Sequence, residues 1–470
     1  MNFRHIACLL LVIALRCTSL VAAEPKRPNI LWLIAEDIGP DMACYGDPDA
    51  RTPRIDRLAG QGTLYRNAYS TAPVCSASRS AFCTGMYQTS LGAHHHRSHR
   101  DDGFRLPSGV RLITDRLREA GYFTANIREL PPELNFRGAG KTDWNFEPEG
   151  KPFDSARWAD LKSHQPFYAQ VNFTQTHRVY HKSKTEPHDP ARVHLPAYLA
   201  DDPVTREDWA LYHDSISQLD AQVGAVLDLL QREGLAPDTL VFFFGDNGRE
   251  CFRGKYFAYE QGCHVPLIVR WPEHLAPGKT KDQLVSLIDV TTTTLEAAGL
   301  SLPDGIAGVP LWGPQAQERE FIFTARDRID DTLDRVRTVR DARFKYIRNF
   351  QPERPYLQPM AYAEHTNPNY LRMQALFAEG KLDARQQKFL ASHRPSEELY
   401  DLSKDPLEFD NLADDPKRAG ELKRLRAALD RWIDETHDQG ATPEDPEALR
   451  KILDDHDRKM EQQFGTKAKS

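Results

Sequence analysis

Four groups of residues in this chain could do chemistry. Cys75 is followed four residues later by Arg79. Residues 78–82 read as the start of a helix that Ser76 can cap. This would put Cys75 at a helix N-terminus, where backbone N–H groups and the macrodipole favour negative charge. Arg79, one turn on, faces the same place. Such a seat suits a reactive group that handles an anion. A buried structural cysteine is the alternative reading, since free cysteine is among the most buried residue types.

The second and third groups are acidic. The apolar run 28–35 ends in Glu36-Asp37, and the apolar run 239–244 is followed by Gly245-Asp246-Asn247-Gly248. Continuous apolar runs of this length suit strands buried on both faces, as in a parallel sheet. Carboxylates at the end of a buried strand are costly unless paired or bound to a cation. In open α/β sheets, ligands bind beyond the C-terminal ends of the strands. Glu36, Asp37, Asp246 and Asn247 on one rim would offer only oxygen, which suits Ca²⁺ or Mg²⁺.

The fourth group follows the apolar run 166–173, which leads to Thr174-Gln175-Thr176-His177. His177 would share that rim. An imidazole there can donate a proton to a leaving alcohol near neutral pH. The tract His94, His95, His96 and His99 is also rich in imidazole. It reads as a polar loop or a separate metal site.

The elements that must position these groups are legible in outline. Residues 112–121 form an amphipathic helix stopped by Gly121, and residues 122–127 a short strand. Residues 205–233 form a long helix with Ile216, Leu219, Val223, Val226 and Leu230 on one face. The last core helix begins near residues 286–291. The Pro/Gly-rich stretch 302–314 marks a boundary. Beyond it, short strands at 321–323 and 344–347 alternate with helices, as in a smaller α+β unit. The aromatic, charged segment 351–394 could wall a pocket, and the tail from Pro443 is polar.

Length and composition fit this outline. A chain of 470 residues supports a large core, and 40% hydrophobic with 27% charged residues is ordinary for a globular protein. A formal charge of −7 argues against nucleic acid or an anionic membrane as the main partner. Residues 1–23 read as a signal peptide: Arg4 and His5, an apolar run at 6–15, then Val21-Ala22-Ala23 before Glu24. That run is too short for a permanent span, and no other stretch reads as an integral membrane segment. The expected location is periplasmic or secreted. Five cysteines would remain after cleavage: Cys44, Cys75, Cys83, Cys251 and Cys263. The odd number invites a special role for one of them, while Cys251 and Cys263 could pair.

Cys75-x-Ala77-x-Arg79 with Thr84-Gly85 resembles the signature of the type I, formylglycine-dependent sulfatases of the alkaline phosphatase superfamily. Most members carry Pro where Ala77 stands. The two acidic strand ends match the family's Asp-Asp and Asp-Asn-Gly, with Glu36 as a departure. Residues 253–272 match its next block, and 398–412 resemble sulfatase C-termini. The stretch 432–438 resembles the heparan N-sulfatase (N-sulfoglucosamine sulfohydrolase) branch.

The resemblance implies an alkaline-phosphatase-like α/β fold, with a mixed, mostly parallel central sheet flanked by helices. It implies a catalytic domain over 24–314 and a C-terminal α+β subdomain with polar tail over 315–470. It further implies oxidation of Cys75 to formylglycine by a formylglycine-generating or sulfatase-maturing enzyme. The divalent ion would contact Glu36, Asp37, Asp246, Asn247 and residue 75. Lys141 and Lys255 would bind sulfate, Arg79 would hold the hydrated residue, and His177 would serve as the acid. The family's Gly-Lys-Trp-His is missing at Arg128-Glu129-Leu130-Pro131, so Lys141 takes its Lys role. Asp143 stands where its His is expected. That vacant role falls to Asp143 or to one of His94, His95, His96 and His99. The implied substrate is a sulfated carbohydrate, as ester or sulfamate. A phosphate or phosphonate hydrolase and a non-catalytic glycan-binding relative are the alternatives.

Overall fold

The computed structural model describes residues 27–465. The expected signal peptide lies outside the described residues. Twelve strands form two sheets among them. The first eight are β1 (Asn29–Ala35), β2 (Thr63–Tyr69), β3 (Phe123–Glu129), β4 (Ser155–Arg157), β5 (Phe167–Phe173), β6 (Thr239–Gly245), β7 (His264–Arg270) and β8 (Lys279–Ser286). They make one sheet in the order β4-β3-β5-β1-β6-β7-β2-β8. All neighbours are parallel except β7, which runs antiparallel to both β6 and β2. The remaining strands, β9 (Ile322–Arg326), β10 (Val336–Arg340), β11 (Phe344–Asn349) and β12 (Glu397–Asp401), form a smaller antiparallel sheet.

The apolar runs become strands because both faces of the large sheet are covered. β1, β5 and β6 are buried at every position. Alternate residues feed two layers, as the twofold period of a strand requires. Leu31, Leu33, Val241 and Phe243 pack in the layer that holds Ile216, Leu219 and Val223 of the long helix Pro203–Arg232. Trp32, Phe242 and Phe244 pack in the other, with Val290 and Leu295 of the helix Ile288–Ala297. Trp32 makes edge contacts with Phe82, Tyr168, Phe242 and Phe244. Each such side chain contributes about 1.5–3 kcal/mol by burial.

Register sets the rim. Ala35 of β1 pairs with Phe173 of β5 and with Gly245 of β6. Glu36, Thr174 and Asp246 therefore leave the sheet side by side. Two antiparallel steps through β7 return β2 to the direction of β6, so the chain leaves Tyr69 on the same edge and reaches Cys75.

Several local expectations change. The helix begins at Cys75 itself, with Val74 as its N-cap and no side-chain cap. Ser76 lies inside the first turn, and its Oγ accepts from the Arg97 N–H at 2.9 Å. Strands β2, β4 and β8 carry no clear apolar run, and they and β7 were not anticipated. The long helix starts at Pro203, capped by the Asp202 side chain on the Val204 N–H. Cys251 and Cys263 do not pair: both are free and buried, and so are Cys75 and Cys83.

Candidate active site

The rim gathers the predicted residues into one network. Glu36 and Asp37 follow β1, Asp246 and Asn247 follow β6, His177 follows β5, and Cys75 opens the helix Cys75–Phe82. Asp37 has φ of 51°, which turns the chain sharply off the strand. The Asp246 carboxylate binds this turn together. Its Oδ1 accepts from the N–H of Asp37 at 3.0 Å and of Asn247 at 2.9 Å. Its Oδ2 accepts from Arg79 Nε at 2.8 Å. Arg79 Nη1 donates to Asn172 Oδ1 of β5 at 2.7 Å. Asn247 Nδ2 donates to Asp37 Oδ1 at 2.9 Å.

The two lysines meet the first acidic pair. Lys141 Nζ lies 2.6 Å from Glu36 Oε2, and Lys255 Nζ lies 2.8 Å from Asp37 Oδ2 and 3.5 Å from Glu250 Oε2. Burial opposes the charge on Glu36, yet Lys141, Arg79 and His177 hold its carboxyl below the ordinary value. Burial likewise opposes charge on Asp37, and Lys255 and His177 outweigh it. For Asp246 burial wins over Arg79, and the carboxyl is raised. Burial also pushes the Cys75 thiol up to about 12, against the pull of Lys141. A thiol so raised is a poor nucleophile at neutral pH.

Two oxygens in this network have no hydrogen-bond partner although they are buried: Glu36 Oε1 and Asn247 Oδ1. Orphaned buried acceptors call for an explanation, and a cation bound between them is one. Four carboxylates, Glu36, Asp37, Asp246 and Glu250, face three fixed cations, Arg79, Lys141 and Lys255. Asp37, His177 and Glu250 also bring ligand atoms within 4.8 Å of one another. The donor set fits a hard divalent cation.

A cavity of about 590 Å³ opens onto this network, lined by Cys75, His96, Arg97, His177, Lys255 and Tyr362 among others. His177 Nδ1 bonds to the Arg178 carbonyl at 2.8 Å. Its Nε2 faces Asp37 Oδ2 at 3.7 Å and Glu36 Oε2 at 4.0 Å. Lys141 lines a neighbouring cavity with Glu36, Gly140 and His177.

Comparison with known proteins identifies the family. The family model described as Sulfatase matches residues 28–147 and 153–300. The chain belongs to the sulfatase family. A second model, N-sulphoglucosamine sulphohydrolase, C-terminal, matches residues 248–360 of the sulfatase. An ulvan-active sulfatase of Formosa agariphila is 36% identical over 468 residues, covering 89% of this chain and 77% of the relative. Human N-sulphoglucosamine sulphohydrolase is 27% identical over 496 residues, covering 92% and 94%. The phosphonate monoester hydrolase of Agrobacterium radiobacter shares the fold, with a TM-score of 0.64 at 18% identity over 87% of this chain and 96% of that one. A shared fold does not choose the ester. The family model and the 36% relative do, and the chain is a sulfuric ester hydrolase.

Among the four histidines named from the sequence, one lies beside Cys75. His96 Nε2 lies 3.7 Å from Cys75 Sγ, and His96 Nδ1 lies 2.8 Å from Asp330 Oδ1. The sequence named His96 among four candidates without choosing between them. Asp330 was not anticipated. The other histidines go elsewhere. His95 sits near Glu444, and His99 bonds Asp102 and stacks on Phe104. His94 is buried, and neither ring nitrogen finds a hydrogen-bond partner. The polar tail forms the helix Pro446–Phe464, and His456, Lys459, Met460, Gln462 and Gln463 line the Cys75 cavity together with Tyr362.

Proposed function

We propose that this sulfatase removes a sulfate group from a carbohydrate, as an ester or sulfamate, at residue 75 after its oxidation to formylglycine. The buried network around Cys75 carries the reading: an unreactive thiol beside Arg79, two lysines and oxygens that lack partners. Glu36, Asp37, Asp246 and Asn247 would hold Ca²⁺ or Mg²⁺, which would neutralise charge on sulfate oxygens. Formylglycine would supply a hydrated aldehyde whose hydroxyl attacks sulfur. Lys255 and Lys141 bind the remaining sulfate oxygens, and Arg79 orients residue 75. His177 gives its Nε2 proton to the leaving oxygen or nitrogen. Relatives named for ulvan and for N-sulphoglucosamine support a polysaccharide or glycosaminoglycan substrate. An exported chain meeting its maturing enzyme accords with the signal-like N-terminus.

Sulfate release from a panel of sulfated mono- and oligosaccharides, N-sulfated glucosamine included, tests this reading. We expect release by the wild type and loss of at least three orders of magnitude in Cys75→Ala. Full turnover by Cys75→Ala would overturn the role of residue 75. The second reading is hydrolysis of phosphate or phosphonate esters, which the fold shared with the phosphonate hydrolase also houses. Aryl phosphates and phosphonates in the same panel separate the two.

A further inference from the structure

We infer that His96, held by Asp330, is the base that takes the proton from residue 75 when sulfate is expelled. The inference rests on the formylglycine reading above and names the group that closes its cycle.

The geometry is a relay of three buried side chains. Sγ of residue 75 marks where a hydroxyl of the hydrated aldehyde would sit. His96 Nε2 is 3.7 Å from it, and Asp330 Oδ1 is 2.8 Å from His96 Nδ1. His96 and Asp330 are 4% and 7% exposed. Because Nδ1 faces a carboxylate, it carries the ring proton, and the Nε2 lone pair is left to face residue 75.

The loop that carries His96 is fixed from three sides. The His96 N–H donates to the Arg328 carbonyl at 2.9 Å, and the Arg97 N–H to Ser76 Oγ at 2.9 Å. Asn145 Nδ2 donates to the carbonyls of Ala93 at 2.9 Å and His95 at 2.8 Å. A base held this way is preorganised.

The competing groups are occupied. Asp143 lies against Arg100, 3.6 Å from Lys141 Nζ and 3.7 Å from Arg97 Nε. Its carboxylate is already paired with these three cations. His177 faces the Glu36 and Asp37 side of the cavity.

His96 Nε2 accepts the proton of the free hydroxyl on Cβ of residue 75. The O–H electron pair becomes the second C–O bond of the aldehyde. The bond from Cβ to the sulfur-bearing oxygen breaks, and sulfate departs with that pair. Water then adds to the aldehyde, and the proton on His96 passes to solvent.

The test uses the full-length matured sulfatase with His96→Gln and Asp330→Asn. Asp330 has φ of 48°, a region asparagine also tolerates, so the second variant spares the backbone. Removing a general base costs about 10²–10⁴-fold in rate. In His96→Gln we expect one stoichiometric burst of alcohol release, then a stall. The tryptic peptide containing residue 75 should be heavier by one SO₃ in the steady state. In Asp330→Asn we expect the same adduct at lower occupancy, with kcat reduced and KM little changed. A His96→Gln variant that keeps wild-type turnover overturns the proposal. So does a slow, folded variant with no burst and no SO₃ adduct. A wild type that releases no sulfate from any substrate defeats the functional reading instead.

Discussion

At the scale of single residues, the site is governed by burial. Cys75 is a thiol pushed up to about 12 by its surroundings. Its thiolate fraction at pH 8 is about 10⁻⁴, since each pH unit below the pKa costs a factor of ten. Iodoacetamide should therefore label Cys75 in the folded, unmodified chain about a thousandfold more slowly than in the denatured chain, with the rate rising as pH rises toward 12. Peptide mass analysis follows this residue by residue, and equal labelling in both states would contradict the burial argument. Arg79 gives a second residue-level prediction. It is 1% exposed and pairs with a fully buried Asp246. Arg79→Ala strands that carboxylate, at a cost of about 3–5 kcal/mol. Urea unfolding should show this loss, and a change below 1 kcal/mol would mean that Asp246 finds another partner.

Elements place these residues by register and by tight loops. Parallel pairing of β5, β1 and β6 sets three chemically loaded strand ends on one edge. The loop after β6 must then turn within a crowded space. A Cβ added at Gly248 would lie 2.2 Å from the Gln261 carbonyl oxygen and 2.6 Å from the Gly262 carbonyl carbon. Both are backbone atoms, so the loop would have to move. Gly248→Ala should displace Asn247 and Lys255 together, lowering kcat/KM by at least tenfold while far-UV circular dichroism stays native. An unchanged kcat/KM would show that the loop tolerates the shift.

At the scale of the molecule, the C-terminal part completes the pocket. The helix Pro446–Phe464 contains no buried residue, yet it walls the Cys75 cavity. It is fastened by Phe464 on His365, with ring centroids 5.0 Å apart, and by His456 near Asp330 at 3.8 Å. A helix that buries so little apolar surface adds little to global stability. Truncation after residue 444 should leave the melting temperature within a few degrees of wild type. It should also raise KM for a sulfated monosaccharide severalfold, as steady-state kinetics would show. An unchanged KM would mean that the helix does not shape the substrate site.

The chemistry-bearing strand ends were legible in the sequence because each is local: an apolar run followed at once by carboxylates, amide or imidazole. The Cys75–Arg79 pair was legible for the same reason, being one helical turn. β2 and β8 were not, because their exposed positions break the apolar pattern. The sequence by itself determined which residues leave the sheet at its reactive edge, since a strand buried on both faces must be apolar and must stop where polarity begins. Only the tertiary structure decided which distant groups meet them. His96 and Asp330 are 234 residues apart, and Lys141 and Glu36 are 105 apart. Hydrophobic periodicity is blind to such pairings. They exist because two sheets and a surface helix pack around one rim, and packing over long separations fixes distances that no local pattern encodes.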